Sequence, residues 1–219
     1  MISLPVFLNR RNKYIAGAFA AIFSASIYLL SNHFPFFPPQ LLPMSWFDRN
    51  IPFIPITVWI YISEYPLIIA AFIMCEDMVN TNKYLYSVLT LQVLSVLIFI
   101  VWPTTYPRES YPLPSFLDPL THFIFNQLRG TDDPSNCAPS LHVSTVYLSS
   151  FLFLDEKSNR FPYFFAWATA VALSTLTTKQ HYVIDVFTGF LMAVCMYWFY
   201  HHIMTYRPLK RYVFKRSKI

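Results

Sequence analysis

The sequence is poor in the residues on which several common classes of site depend. It has only 3 glycines and 3 cysteines among 219 residues, and 12% of its residues are charged. A phosphate-binding loop of the nucleotide-binding type needs closely spaced glycines, so that class of site is excluded. The low charged fraction, together with 55% hydrophobic residues, also excludes an ordinary soluble domain.

Apolar segments take up most of the chain instead. Six can be marked, at residues 14–31, 57–74, 84–102, 142–154, 161–177 and 182–204. The fourth is short of the roughly 20 residues that cross a bilayer, which predicts a helix beginning inside the protein at a recessed site. The first lacks a small-residue cleavage site and is expected to stay as an anchor. The predicted fold class is all-α, an integral membrane bundle of six transmembrane helices forming a single domain over residues 1–219.

The distribution of lysine and arginine predicts the orientation of this bundle. With a cytoplasmic N-terminus, the outer side holds only Arg49, Arg108, Arg129 and Lys179, and the inner side holds all the others. The positive-inside rule therefore puts both termini in the cytoplasm and the long connections on the extracytoplasmic side. Because the basic residues flank apolar segments, the predicted partners are membrane lipids and not nucleic acid, and the basic tail after Arg207 suits anionic inner-leaflet lipids.

Several polar features outside the main site receive only structural interpretations. The proline-rich and aromatic connection at residues 31–50 is expected to be a stiff connector, and Asp132 and Asp133 are expected in a turn. Glu64 has no evident partner in the sequence and receives no role. Cys137 is the one cysteine predicted on the oxidising side, so no intrachain disulfide is predicted.

Ionisable residues collect where the third, fourth and sixth segments meet the outer side. His181 and Asp185 are four residues apart, so on a helix the carboxylate can hold one imidazole nitrogen and leave the other free to attack. His142, on a different helix, can donate a proton to a departing oxygen. The spacing favours a catalytic group made of these three side chains, although a structural His–Asp pair between helices is the plain alternative.

The neighbouring residues suit an anion. Ser140 follows a proline and is predicted to cap the fourth helix, which points backbone amides at the site. Arg108 can clamp a phosphate with two hydrogen bonds, and Lys179 adds a point charge. In so apolar a chain, the predicted substrate is a phosphate carried on a lipid.

Two stretches resemble the type-2 phosphatidic acid phosphatase superfamily of membrane phosphatases and phosphotransferases. "PSLH" at residues 139–142 is similar to the second part of its signature, and "STLTTKQHYVID" at residues 174–185 is similar to the third. The resemblance implies that His181 becomes a phosphohistidine, that Asp185 orients it, and that His142 is the acid for the leaving group. It also brings Ser174 into register with a phosphate-site residue of the family.

The sequence departs from that signature at several positions. Leu141 replaces a glycine, Thr175 replaces an arginine, and the first part is reduced to "TTYPRESYP" with Arg108 alone. Lys179 can replace the missing arginine. The altered pattern, over residues 103–189, is similar to the branch containing inositol phosphorylceramide synthase and sphingomyelin synthase, which transfers a phospho-headgroup to an alcohol.

The predicted function is a metal-independent and cofactor-independent membrane lipid-phosphate phosphatase, with a phospho-headgroup transferase as the alternative. Two histidines and one carboxylate could also ligate iron or zinc, but Lys179 and Arg108 nearby favour an anion over a cation. A membrane transporter is the second alternative. It is disfavoured because neither internal repeats nor a charged path to the cytoplasmic face is visible.

Overall fold

The computed structural model describes residues 3–154 and 159–208. Lys157 and the basic residues from Lys210 to Lys218, which contribute to the predicted orientation, lie outside these ranges. Helices form most of the described chain. In order, the elements are β1 (Ser3–Val6), α1 (Lys13–His33), β2 (Gln40–Leu41), α2 (Trp46–Asn50), a 3-10 turn (Pro55–Thr57), α3 (Val58–Ile62), α4 (Glu64–Met74), α5 (Met78–Val101), β3 (Thr104–Thr105), a 3-10 turn (Arg108–Ser110), α6 (Pro119–Thr131), α7 (Leu141–Phe151), α8 (Phe161–Thr177), α9 (Val183–Trp198), a π-helical turn (Phe199–Ile203) and β4 (Thr205–Pro208).

The predicted helical bundle is confirmed, and every predicted apolar segment contains a helix. Four stretches of the described chain are long and apolar enough to cross a membrane: Lys13–His33, Pro55–Met74, Met78–Val101 and Val183–Ile203. Phe161–Thr177 is a shorter apolar helix, and α7 has only 11 residues. Six crossings and the sidedness of the loops therefore stay predictions.

Local sequence explains where several of these helices begin and break. Asp77 caps α5, since its Oδ1 accepts hydrogen bonds from the backbone amides of Val79 (2.7 Å) and Asn80 (3.0 Å), so the helix begins at Met78 and not at residue 84 as predicted. The second span is broken between α3 and α4 at Ser63, because Pro66 has no backbone N–H to continue a helix from the preceding turn.

Helix α7 is the centre of the bundle and packs against α4, α5, α8 and α9. Most of its residues are buried, including Val143, Val146, Leu148 and Phe151. A buried backbone needs partners for its polar groups, and in α7 the helical hydrogen bonds and the cap at Ser140 supply them. The N-terminus of α7 is thereby held at a fixed place inside the protein.

Two short parallel strand pairs tie distant parts of the chain together. β1 pairs with β4, which brings the two ends of the described chain together. β2 pairs with β3, so the connection between α1 and α3 is fastened to the connection after α5. Residues 31–50 are therefore more than a connector: they include the end of α1, β2 and α2, and they pack on the loops that lead to α7 and α9.

Candidate active site

His181 and Asp185 lie at the turn between α8 and α9 and contact one another. Nδ1 of His181 lies 3.3 Å from Oδ2 of Asp185, and both side chains are buried. His181 precedes the first turn of α9, and the pair forms because Asp185 turns back to cap the helix, accepting a hydrogen bond from the Tyr182 amide at 2.9 Å. The other oxygen of Asp185 is buried and has no hydrogen-bond partner among the described residues. This arrangement leaves Nε2 of His181 available.

The backbone of this turn is fixed from both sides. The carbonyl of Thr175 accepts hydrogen bonds from the amides of Gln180 (3.0 Å) and His181 (3.3 Å). The amide of Ser140 donates to the carbonyl of Asp185 at 3.1 Å, which joins the start of α7 to the first turn of α9. The two segments that carry the histidines are therefore held together by main-chain hydrogen bonds.

His142 lies in the first turn of α7 and faces His181. Their ring centroids are 5.7 Å apart, with an interplanar angle of 61°. Nε2 of His142 is 2.8 Å from the Tyr61 hydroxyl and 3.4 Å from Oε1 of Glu64. The side chain of His142 is 12% exposed and that of Glu64 only 5%. The structure thus brings the three predicted catalytic residues together and adds two groups that hold His142.

Ser140 is the cap of α7, as predicted, and its hydroxyl oxygen accepts a hydrogen bond from the Val143 amide at 3.3 Å. The preceding bond, Ala138–Pro139, is cis. Helix α9 approaches this cap closely at Gly189: a Cβ added there would lie 2.5 Å from the Ser140 carbonyl oxygen. The lack of a side chain at Gly189 is therefore what allows the two helices to meet at the site.

Arg108 is buried in an ion pair with Asp132. Its guanidinium donates to the backbone carbonyl of Asp132 and, at 3.1 Å, to the carboxylate oxygen Oδ2, while Nε is buried without a partner in the part of the chain that the structure describes. Tyr28 donates its hydroxyl to the other carboxylate oxygen. Asp132, interpreted from the sequence as a turn residue, is thus the partner of the predicted phosphate clamp.

The charges of this pair are coupled to the histidine site. Burial lowers the pKa of Arg108, but the Asp132 carboxylate outweighs burial and the pKa lies above its ordinary value. Burial raises the pKa of Asp132, but Arg108, followed by His142, the Tyr28 hydroxyl and His181, lowers it below its ordinary value. Both histidines are therefore close enough to Asp132 to lower its pKa.

Lys179 is buried and directed toward the first long connection. Its backbone has φ 55°, in the left-handed region, and its ammonium donates to the carbonyls of Asp48 (3.0 Å) and Ile51 (2.6 Å). The ammonium also lies 5.0 Å from the centre of the Tyr111 ring. Burial lowers the pKa of Lys179, although Asp48 opposes this shift. The hydrogen-bond partners of this lysine therefore lie in the connection between α1 and α3.

Asp48 is the residue that fastens the first connection to the site. Its Oδ1 accepts a hydrogen bond from the Val183 amide at 2.8 Å, at the start of α9. Ser174 lies in α8, where its hydroxyl donates to the Val171 carbonyl of its own helix at 2.6 Å. Ser174 is therefore close to the turn in sequence, but its hydroxyl is engaged within the helix.

Sequence reasoning missed Glu64, Tyr61 and Asp132. The usable signal was Glu64 itself, because an ionisable residue inside a membrane segment normally has a partner on another helix. The sequence contains few ionisable residues on other helices that could pair with Glu64, and His142 is one of them. The signal for Asp132 was weaker, since acidic residues in turn-forming sequences are common.

A cavity of about 730 Å³ reaches the site from the side. Its lining includes Glu64, Asp132 and His142 at one end and apolar residues of α1, α4 and α5 over the rest. Within the described ranges, no group of three or more His, Cys, Asp or Glu side chains is arranged to hold a metal ion. The cavity therefore reaches His142, but His181 and the predicted phosphate ligands Arg108, Ser140, Ser174 and Lys179 are not among its lining residues.

A bundle of membrane-length helices that buries two facing histidines, each beside a carboxylate, defines an integral membrane protein with a histidine-based site. The profile of the PAP2 superfamily matches residues 26–199, and the chain belongs to that superfamily. The predicted membership of the type-2 phosphatidic acid phosphatase superfamily is thereby confirmed. Membership in the inositol phosphorylceramide synthase-like branch stays a prediction.

The chain is also similar to an uncharacterized protein of Methanocaldococcus jannaschii, MJ0662. The two are 38% identical over 66 residues, which is 30% of this chain. The match spans 27% of the archaeal protein. The superfamily supports an enzyme of the lipid phosphatase or phosphotransferase type.

Proposed function

We propose that the protein is a membrane lipid-phosphate phosphatase that acts through a phosphohistidine on His181. The observation that carries the proposal is the contact of His181 with Asp185 on one side and His142 on the other. A hydrogen bond from Nδ1–H to Asp185 fixes the tautomer in which Nε2 has its lone pair free. Nε2 is then the nucleophile toward the phosphorus atom.

In the first step, Nε2 of His181 bonds to phosphorus as the bond between phosphorus and the lipid oxygen breaks. His142 gives its proton to the departing alkoxide, which leaves as the lipid alcohol. Glu64 and Tyr61 both contact Nε2 of His142 and hold its ring in place. In the second step, His142 accepts a proton from water, the water oxygen bonds to phosphorus, and the bond between phosphorus and His181 breaks.

The phosphate oxygens need hydrogen-bond donors, and two are proposed from the arrangement of the site. The N-terminus of α7 behind Ser140 supplies backbone amides. Arg108 has its buried Nε without a partner in residues 3–154 and 159–208, which supports a role facing the phosphate. Lys179 and Ser174 stay predictions as phosphate ligands, and their hydrogen bonds to Asp48, Ile51 and Val171 would have to be exchanged for that role.

Transfer to an alcohol is the second candidate, and the burial of the site favours it. His181 is 4% exposed, so the phosphohistidine would form where water has little access. An alcohol in the position of the attacking water would accept the phospho-group by the same steps. A phosphatase and a transferase thus share every residue role and differ in the acceptor.

The extracytoplasmic location of the site is also a proposal. β1 pairs with β4, which supports a common side for both ends of the described chain. Lys13, at the start of α1, donates to the carbonyl of Cys75, whereas Tyr28, near the end of α1, donates to Asp132. The site therefore lies at the opposite end of α1 from β1, which together with the lysine and arginine distribution supports a site on the outer side.

The test is phosphate release from a panel of lipid phosphates by the purified protein in detergent with excess EDTA. We expect release by the wild type and by His202→Ala, whose exposed histidine follows α9, and none by His181→Ala. Equal release by His181→Ala, or loss of wild-type activity in EDTA, would contradict the mechanism. If no substrate releases phosphate, adding an alcohol acceptor such as inositol tests for transfer.

A further inference from the structure

Arg129 is a partly buried arginine of α6 that the proposed mechanism does not use. Its guanidinium carbon lies 4.8 Å from the centre of the Phe125 ring and 5.8 Å from that of Phe53, and its Nη2 donates to the Tyr111 carbonyl at 3.0 Å. Its Nε is buried without a hydrogen-bond partner, and Arg129 forms no ion pair, within the ranges that the structure describes. A charge taken out of water in this way normally has a countercharge.

Tyr111 connects Arg129 to the two predicted phosphate ligands Arg108 and Lys179. Its amide donates to the Arg108 carbonyl at 3.1 Å, its carbonyl accepts the hydrogen bond from Arg129, and its ring centre lies 5.0 Å from the ammonium of Lys179. Burial and, after it, the charge of Arg108 lower the pKa of Arg129 below its ordinary value. The two guanidinium groups are therefore close enough to repel one another.

The two arginines share an unsatisfied requirement. Arg108 is paired with Asp132, but its Nε is buried without a partner among the described residues, as is the Nε of Arg129. Phosphate has several acceptor oxygens and a negative charge. One phosphate group could therefore accept a hydrogen bond from each Nε and offset the repulsion between the two guanidinium groups.

We propose that Arg129 is a further phosphate-binding residue and that an anionic phosphate group binds between Arg129 and Arg108. The anion site rests on the two arginines, whereas the assignment of the phosphate to a lipid rests on the proposed function. Arg129 supplies a second arginine from α6, although the sequence has Thr175 at the other arginine position of the signature. Lys179 is less suited to that task, because its ammonium donates to two carbonyls of the first connection.

Thermal unfolding in inorganic phosphate tests the anion site without depending on turnover. A ligand that binds only the folded state raises Tm, so the purified full chain in detergent is compared in phosphate and in chloride at equal ionic strength. We expect phosphate to raise the Tm of the wild type and of Arg49→Met. Arg49 is the matched control, since it is exposed and donates to the Met44 carbonyl.

Arg129→Met keeps an unbranched apolar side chain against the two rings and removes the guanidinium. The phosphate concentration that gives half of the rise in Tm should be at least about tenfold higher in this variant, as expected for the loss of hydrogen bonds to a charged group. Arg129→Lys retains a cation without the Nε donor, and its half-point should be about threefold higher or more even if the methionine variant fails to fold. Equal half-points in the wild type and the Arg129 variants, or no rise in the wild type, would overturn the proposal.

The KM for a lipid phosphate supplies the second measurement. Arg129→Met should raise KM about tenfold or more and change kcat less than about threefold, the pattern for lost binding to substrate and transition state alike. If Arg129 only packs against Phe125 and Phe53, Tm falls and KM stays unchanged. An unchanged KM together with Arg129-dependent phosphate binding would show that the site takes free phosphate and would overturn its assignment to the lipid headgroup. Arg129-dependent phosphate binding without turnover of any lipid phosphate would instead refute the proposed function and leave the anion site standing.

Discussion

Oε1 of Glu64 lies 3.4 Å from Nε2 of His142, so each of the two facing histidines has a carboxylate beside it. Asp185 holds His181 from the first turn of α9, and Glu64 holds His142 from the start of α4. The break between α3 and α4 is what gives Glu64 this position. The site is thus two carboxylate–histidine pairs meeting ring to ring, and the proposed nucleophile and acid are oriented independently.

Glu64→Gln should lower kcat and leave KM nearly unchanged. The substitution keeps the size of the side chain but replaces the carboxylate oxygen that lies 3.4 Å from Nε2 of His142, so the contact that orients the proposed acid is weakened. Glu64 acts through His142 and not on the substrate. We expect kcat to fall about 10- to 100-fold, part of the roughly 10²–10⁴-fold that general acid catalysis contributes, and KM to change less than about twofold. Glu76→Gln, at an exposed position after α4, is the matched control. An unchanged kcat in Glu64→Gln would remove Glu64 from the mechanism.

Asp185→Asn should nearly abolish turnover without unfolding the protein. Its amide oxygen can still accept the capping hydrogen bond from Tyr182, but the tautomer of His181 is no longer fixed by a carboxylate. We expect kcat to fall roughly 10³- to 10⁴-fold, as in other histidines that lose an orienting aspartate, with Tm within a few degrees of wild type. Asp133→Asn changes a half-exposed carboxylate and should retain full activity. Activity of Asp185→Asn near the wild-type level would show that Asp185 is only structural.

Hydropathy and capping residues predict most of the helices in this chain. The predicted segment at residues 161–177 coincides with α8, and Ser140 caps α7 as expected. The pairing of His181 with Asp185 follows from spacing alone, since either a helix or a capping turn brings residues four apart together. Local sequence therefore contains the information for these features.

The remaining features depend on contacts between distant segments. Glu64 meets His142 only because α4 packs against α7, and Lys179 turns toward Asp48 because residues 31–50 dock on the start of α9. The residues next to Glu64 and Lys179 in the sequence do not determine where these two side chains point. A single sequence can identify the ionisable residues of such a site, but tertiary packing decides which of them face one another.

The ion pair between Arg108 and Asp132 should make stability depend on pH in the acidic range. The folded-state pKa of Asp132 lies below its ordinary value, so its contribution is fully present above the unfolded pKa of about 3.9 and is lost as pH falls through the folded pKa. Asp132→Asn leaves Arg108 buried without a countercharge, which costs roughly 3–5 kcal/mol. Thermal unfolding at pH 7 should therefore show a large loss, and the difference from wild type should shrink below about pH 4.

The control for this prediction is Asp133→Asn, which removes the neighbouring carboxylate of a partly exposed pair. Its effect on the free energy of unfolding should be within about 1 kcal/mol, as for other exposed ion pairs. A difference between wild type and Asp132→Asn that stays constant from pH 7 to pH 3 would show that the charge of Asp132 is not responsible.

Lys179→Met separates two roles for this lysine. The ammonium of Lys179 donates hydrogen bonds to the carbonyls of Asp48 and Ile51. Removing the ammonium should therefore lower the free energy of unfolding by about 1.5–3 kcal/mol. The KM for a lipid phosphate should stay within about twofold of wild type. A KM more than tenfold higher with an unchanged Tm would instead identify Lys179 as a phosphate ligand.

Gly189→Ala should separate the two histidines by forcing α9 away from the start of α7. The added Cβ would lie 2.5 Å from the carbonyl oxygen of Ser140 and 3.2 Å from Cβ of Val143, and neither belongs to a flexible side-chain end that can move aside. Overpacking of this kind costs roughly 1–3 kcal/mol. Moving α9 away would also weaken the hydrogen bond from the Ser140 amide to the Asp185 carbonyl, which joins the two segments that carry the histidines.

The matched variant is Gly130→Ala in α6, because an added Cβ there has no neighbour within 4 Å. Gly130 is the last residue but one of α6 and does not have a positive φ, so alanine fits its backbone. Alanine is favoured over glycine by at most about 0.5–1 kcal/mol in a helix, so Gly130→Ala should keep or slightly raise Tm and retain wild-type kcat. Gly189→Ala should lower both Tm and kcat. If Gly189→Ala lowers Tm but keeps kcat, the site tolerates a displacement of α9, and the close approach of the two helices serves stability alone.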